Sequence, residues 1–357
     1  MLRFHSLRVS EIRPDAEDSI AISLDAPAEV RAEYRGLPGH HVVLRTQING
    51  VEARRTYSLT SVPGDWPLRI AVRVHTNGAM SRHLADEIRV GDQIDVLPPN
   101  GSLTPRFSDR PTYVGFASGC GITPILAVAR SVLAADRSNR FMLFYGNTSV
   151  ARTMCLEELQ ALKDRYLDRL ALHFVMSREP QEVDLYNGRL DAERVKRAAQ
   201  ALFDPTRVAE YFVCGPGHMI EDVSAALQDC GAAPERIHGE HFAVESHGAR
   251  PAPPEHPAVA VDADAADVTV IMDGRRRSFT MRMYAETVLD AAARAGIELP
   301  FSCRAGVCST CRTKVVRGAV EMEQNYALEP WELEAGYVLA CQSRVKTPEL
   351  ELDYDEK

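Results

Sequence analysis

Four cysteines spaced Cys303-x4-Cys308-x2-Cys311-x29-Cys341 constrain this 357-residue chain more tightly than any other feature. Three thiols from one short loop and a fourth from a distant segment can enclose a compact inorganic centre only where the backbone folds closely around it. Gly306 and the small Ser302, Ala305, Ser309 and Thr310 permit that approach. The spacing is that of a [2Fe-2S] cluster held by four thiolates. The competing reading is a structural zinc site in a non-catalytic interaction module, but zinc ribbons present two CxxC pairs and the x4 gap fits them poorly. The other four cysteines, Cys120, Cys155, Cys214 and Cys230, are scattered and form no disulfide framework.

The length exceeds what one hydrophobic core organises, so two or three domains are expected. A formal charge of −9 and a pI near 5.7 exclude a partner held by its phosphate backbone, because nucleic-acid binding needs a clustered basic face. No apolar run is long enough to cross a bilayer, and the start MLRFHSLRVSEIRPD lacks the apolar centre of a signal peptide, so a cytoplasmic location is expected.

Residues 1–108 alternate short apolar runs (IAISL, HVVLR, LRIAVRV, DQIDVLPP) with Gly, Pro and Asp turns, the pattern of a small antiparallel β-barrel. From Thr112 the texture changes to strand, glycine turn and helix in succession, which predicts an α/β parallel-sheet domain over 109–245. A proline-rich linker is expected over 246–263, and its composition suits a semi-extended tether. Residues 264–357 then carry two strand runs, a helix, the cysteine loop and a terminal strand, an α+β domain. Residues 262–357 hold 17 acidic against 12 basic side chains, a surface able to steer a basic partner.

Two motifs in the first domain make a cradle suited to a flavin. Arg55, Tyr57, Ser58 and Leu59 offer a guanidinium for phosphate, a ring to pack on isoalloxazine and a hydroxyl near flavin N5. Val74, Gly78, Met80 and Ser81 open a helix whose N–H groups can meet a pyrophosphate, with Ser81 as its cap. In the second domain Gly119, Cys120, Gly121, Ile122, Thr123 and Pro124 lie between a strand and a helix, where doubly wound sheets dock a dinucleotide pyrophosphate. Cys214, Gly215 and Pro216 end another strand ahead of a helix in which Met219 is placed to face the ligand. Cys214 reads equally as a buried structural thiol. Ser177 and Arg178 follow a third strand, placed for a 2′-phosphate, which favours NADPH and leaves NADH possible.

Together these residues resemble the ferredoxin-NADP reductase superfamily in its form with a C-terminal plant-type ferredoxin domain. Within it, the segment MEQNYALEPWELEAGYVLACQS, the ending LELDYDEK and the opening RFHSLRVSEI are similar to the family of phenylacetyl-CoA epoxidase reductase subunits. The resemblance implies a flavin barrel, a nicotinamide-nucleotide sheet and a β-grasp ferredoxin domain. It implies that NADPH passes hydride to FAD, with Ser58 and Cys214 as the catalytic pair setting the ring geometry. Single electrons would leave through a cluster on Cys303, Cys308, Cys311 and Cys341 to a di-iron oxygenase. Reductases of ring-hydroxylating dioxygenases and other monooxygenases share these motifs in the same order, some with FMN and NADH, so that alternative stays open. GCG at 119–121, where the superfamily often has GSG or GTG, leaves a thiol near the pyrophosphate.

Overall fold

The structure, a computed structural model, describes residues 3–242 and 265–356. The linker expected over 246–263 lies outside the described residues. The chain divides into two compact units, Phe4–Phe242 and Ala243–Lys357 with Met1–Arg3.

The first unit begins with β1 (His5–Pro14), β2 (Ser19–Asp25), β3 (His41–Ile48), β4 (Val51–Ser58), β5 (Leu68–Arg73) and β6 (Gln93–Val96), an antiparallel sheet in the order β4-β3-β6-β1-β2-β5. Leu59, just past β4, bridges Ile70 of β5, so the two edge strands meet and the sheet closes. The inward row of Leu7, Val9, Ile22, Leu24, Leu44 and Ile70 is fully buried, each side chain contributing about 1.5–3 kcal/mol of apolar burial. Residues Arg55–Ser58 form the C-terminal half of β4. Its charged residues, Glu52, Arg54 and Arg55, fall on both faces of the strand and break the alternation of apolar and polar residues that marks a strand, although Arg54 is buried.

The parallel sheet follows: β7 (Thr112–Ser118), β8 (Arg140–Asn147), β9 (Leu170–Met176), β10 (Glu210–Gly215) and β11 (Ile237–His241), in the order β11-β10-β7-β8-β9. The order reverses between β7 and β10, which makes their C-terminal ends the switch point of the fold. Helix α1 (Ala79–Asp86) belongs to the barrel, while α2 (Ile122–Ala135), α3 (Leu156–Arg165), α4 (Ala192–Leu202) and α5 (Gly217–Asp229) connect the sheet. Helix α2 is apolar almost all round because its core cluster takes in Ala71 and Leu103 of the barrel as well as the sheet. Ion pairs of Asp18 with Arg152 and of Arg13 with Glu158 also cross from barrel to sheet, Arg73 of the barrel holding Asp18 from its other side, and the Arg130 guanidinium donates to the Thr60 carbonyl at 2.6 Å. Barrel and sheet therefore form one unit.

The second unit is a mixed sheet in the order β13-β12-β18-β14-β16 with a two-stranded ribbon of β15 and β17. Its strands are β12 (Ala265–Met272), β13 (Arg275–Arg282), β14 (Arg312–Arg317), β15 (Val320–Met322), β16 (Tyr337–Leu339), β17 (Ser343–Val345) and β18 (Glu349–Asp353). Strands β12 and β18 are parallel and the other pairs antiparallel, with α6 (Val288–Arg294) adding to the core: a β-grasp arrangement. Asp273 and Gly274 both take positive φ (54° and 67°), the tight hairpin turn whose twist matches its strands. Thr287 caps α6 by accepting the Asp290 N–H at 3.2 Å. A short α7 (Pro330–Glu334) precedes β16. Among the described residues no helix is long and apolar enough to cross a membrane.

Candidate functional site

In the barrel, Ser58 ends β4 directly opposite His41 of β3. It is 4% exposed, and its hydroxyl makes no hydrogen bond among the described residues. A buried hydroxyl without a partner costs free energy unless a ligand satisfies it, so this atom fits a flavin ring edge. Tyr57 packs part-buried on the barrel core, and Leu59 is inside it. Arg55 is half-buried, one Nη bonded to the Arg54 carbonyl at 2.8 Å.

Gly78 is the N-cap of α1, and no side chain caps that end, so the positive end of the helix is left for an anion. Ser81 is not the cap expected of it. Its buried hydroxyl accepts the His75 N–H at 3.2 Å and donates to the Gly78 carbonyl at 3.3 Å, bracing the turn before the helix. Met80 is in the barrel core, which leaves only its backbone to face a cofactor, and Val74 is tied by its N–H to the Asp18 carbonyl at 2.8 Å.

The Gly119–Pro124 turn and the Cys214–Pro216 turn converge, because β7 and β10 are adjacent parallel strands with Ala117 beside Cys214. Gly119 takes φ +54°, a left-handed conformation, and Gly121 has to be glycine for space: a Cβ there would overlap the Cys214 carbonyl and stand 3.0 Å from the Gly215 nitrogen. Thr123 is buried and donates to the Cys120 carbonyl at 3.0 Å, so its hydroxyl braces the turn; Ile122 and Pro124 are core residues. Cys214 is fully buried, and burial, then the nearby Glu240, pushes its thiol well above the usual range, so it stays neutral. Burial likewise pushes Cys120 up, against the Arg73 charge. Met219, expected to face the ligand, is instead 4% exposed in the core beneath Gly215, whose absent Cβ would lie 2.9 Å from its sulfur. Ser177 and Arg178 sit just beyond β9, their N–H groups donating to the Asn147 and Thr148 carbonyls at 2.9 and 3.0 Å; Arg178 is exposed.

Two residues beside the ring site carried no sequence signal. Glu240 of β11 lies in register with Cys214, and its carboxylate is 3.6 Å from His41 Nδ1, the neighbour of Ser58. Both side chains are largely buried, and they link the barrel edge to the nucleotide sheet. Only the folding of a short strand against β10 brings them together.

In the second unit the four thiols gather. Cys303 is within hydrogen-bonding reach of Cys308 and Cys341, and Cys341 of Cys311. Arg304, Gly306 and Ser309 all take positive φ (53°, 74° and 47°), which curls the loop around its centre. A side chain at Gly306 would press on the Gln324 carbonyl, 3.0 Å from its Cβ. The Ala305 N–H donates to Cys303 Sγ at 3.3 Å, and Gln342 Nε2 to Cys341 Sγ at 3.6 Å, contacts of the kind that stabilise the reduced charge of a cluster. Arg304 pairs with Asp290 and stacks 5.2 Å over Phe301, pinning the loop to α6. Thiols alone in this donor set, on a strained loop that points N–H groups at sulfur, fit a [2Fe-2S] cluster.

Three family descriptions match the chain: an oxidoreductase FAD-binding domain over 8–104, an oxidoreductase NAD-binding domain over 116–225, and a 2Fe-2S iron-sulfur cluster binding domain over 270–346. The chain is 37% identical to a subunit of the 1,2-phenylacetyl-CoA epoxidase of Escherichia coli K12, covering 100% of this chain and 99% of that protein. It belongs to the ferredoxin-NADP reductase superfamily with a C-terminal plant-type ferredoxin domain. Another relative of this reductase is the ferredoxin reductase component of 3-ketosteroid-9-alpha-monooxygenase from Rhodococcus rhodochrous, at 32% identity over 98% of this chain and 96% of that one. The fold is shared with phthalate dioxygenase reductase, at a TM-score of 0.58 and 23% identity over 98% of both chains. The reductase is thus an NAD(P)H-dependent flavin and iron-sulfur oxidoreductase, carrying FAD and a [2Fe-2S] cluster, and the zinc reading is set aside.

Proposed function

We propose that this reductase is the electron-supplying subunit of a cytoplasmic phenylacetyl-CoA epoxidase system, taking hydride from NADPH and delivering single electrons to a di-iron oxygenase. The observation that carries the reading is the 37% identity maintained over both chains from end to end, against 32% for the steroid monooxygenase relative. Bound FAD and the cluster supply the conversion of a two-electron donor into a one-electron source. The chain's own residues bind and orient. Arg55 and the N-terminus of α1 neutralise cofactor phosphates, and Ser58 holds the ring edge through its free hydroxyl. Gly119–Thr123 and Cys214–Pro216 would close on the nucleotide, where the buried, neutral Cys214 thiol would pack without adding charge. No strong acid or base is required.

A Ser58→Ala variant is expected to keep its flavin and to lose about tenfold in the rate of flavin reduction, read by stopped-flow absorbance at saturating nucleotide. Arg178, exposed at the end of β9, carries the choice of NADPH. Arg178→Ala is expected to raise the KM for NADPH by about tenfold or more, the cost of one charge-assisted hydrogen bond, while the KM for NADH stays put.

The partner is tested by reconstitution. With the epoxidase oxygenase present, NADPH oxidation should become dependent on phenylacetyl-CoA. Faster delivery to a ring-hydroxylating dioxygenase, with NADH preferred, would support the second reading, which the similarity to the steroid monooxygenase reductase favours.

A further inference from the structure

Strand β8 ends at Asn147, on the C-terminal edge of the parallel sheet where such folds hold their ligands. Gly146 pairs with Ser118 at the mouth of the 119–124 turn, and Asn147 pairs with Met176, one residue before Ser177. Asn147 therefore stands between the two nucleotide segments already described. Its side chain is 8% exposed, and its Nδ2 makes no hydrogen bond among the described residues; the hydroxyl of Thr148, next along, makes none either. A buried amide donor left unsatisfied is costly, so its persistence points to a partner that binding supplies.

Tyr145, two residues earlier and on the same face of β8, is fully buried with its hydroxyl close enough to the Asn147 carboxamide to feel it, though the two are not in hydrogen-bond geometry. Its hydroxyl donates to the Gly119 carbonyl at 2.9 Å, with the Met154 carbonyl at 3.2 Å sharing the proton. Gly119 is the left-handed residue of the turn, with open space where a side chain would be. The Ile122 N–H donates back to the same carbonyl, so the Tyr145 hydroxyl anchors the acceptor around which the turn closes at the start of α2.

We propose that Asn147 donates a hydrogen bond to the pyrophosphate of the bound nicotinamide nucleotide, and that Tyr145 is a positioning residue that fixes the Gly119 carbonyl so the turn faces the same phosphates. The pyrophosphate is assigned rather than the 2′-phosphate because Asn147 shares its face of β8 with the residue that holds the 119–124 turn, while Arg178 belongs to the next strand out. NADPH and NADH have the pyrophosphate in common, so the proposal does not depend on which of them the reductase prefers.

Binding of NADP+ and of NAD+ to the FAD-loaded protein, measured by calorimetry, tests it. Asn147→Ala should weaken both nucleotides by the same factor, about tenfold, with the kinetic loss falling on KM more than on kcat. Asn147→Asp keeps the shape but turns a negative charge on the phosphates, so it should bind both more weakly than the alanine variant. Tyr145→Phe should raise the KM for both by a few-fold with flavin content intact. A purely structural role for Asn147 predicts the opposite ranking, with the isosteric aspartate milder than alanine. That ranking, a loss confined to NADP+, or wild-type affinity in both Asn147 variants would overturn the proposal.

Discussion

In a Cys341→Ser protein the flavin still accepts electrons from NADPH, but reduction of cytochrome c through the cluster falls to background. Cys341 is the thiol that closes the site from a segment far from the 303–311 loop, and it is in reach of both Cys303 and Cys311. A serine hydroxyl is a hard, weakly acidic donor that does not replace a thiolate on iron. The fold around it persists, because the buried core that Cys311 and Cys341 join is built mainly from apolar side chains, among them Val268, Val270, Leu289, Leu339, Ala340 and Leu352, and serine is close to cysteine in size. The unit that binds flavin and nucleotide has separate cores of its own. Iron content, the electron paramagnetic resonance signal and the ratio of ferricyanide to cytochrome c reduction report the outcome. Ferricyanide, which draws on the flavin, should be reduced at nearly the wild-type rate.

Gly121→Ala is the other change with a large expected effect, and it acts through the backbone. The added Cβ would overlap the Cys214 carbonyl, a backbone atom that no rotamer can move aside. The ends of β7 and β10 must then separate, opening the point where the two nucleotide turns meet. Overpacking of this kind costs about 1–3 kcal/mol and more where backbone must shift. Affinity for both nicotinamide nucleotides should fall by more than about tenfold, since a misplacement near 1 Å is enough for losses of that size. Thermal unfolding of the flavin-loaded protein and nucleotide titration measure the two parts separately. At Gly119 a Cβ meets open space, so Gly119→Ala should harm only through its positive φ and be the milder of the two.

The cluster was readable in the sequence because its chemistry fixes ligand type, number and spacing. The turn at Gly119–Pro124 was readable for a similar reason: a glycine pair between an apolar strand and an apolar helix marks a tight strand-to-helix crossing, which the structure has there. What the pattern misjudged were side chains whose direction depends on packing. Met80 and Met219 stand at helix starts where a flexible apolar side chain can line a ligand or fill a core, and both fill cores. Ser81 is a polar residue in the first turn of a helix, yet the preceding turn draws its hydroxyl inward to His75 and Gly78. Asn147, His41 and Glu240 were invisible for a different reason. Each reaches the site only through strand register, β8 beside β7, β3 beside β4, and β11 beside β10, which no local motif encodes. In the barrel, β4 was masked by the charges of Glu52, Arg54 and Arg55, although that strand ends on Ser58, whose buried hydroxyl makes no hydrogen bond among the described residues.

The central claim is that one chain joins a hydride-accepting flavin to a one-electron iron-sulfur carrier. Anaerobic titration of the purified protein with NADPH, followed by visible absorbance and electron paramagnetic resonance, tests it most directly. The expected result is bleaching of the flavin bands together with the growth of the signal of a reduced [2Fe-2S] cluster, absent from the Cys341→Ser protein. A flavin that reduces fully while no cluster signal develops, or a carefully prepared chain that is colourless and free of iron, would contradict the account.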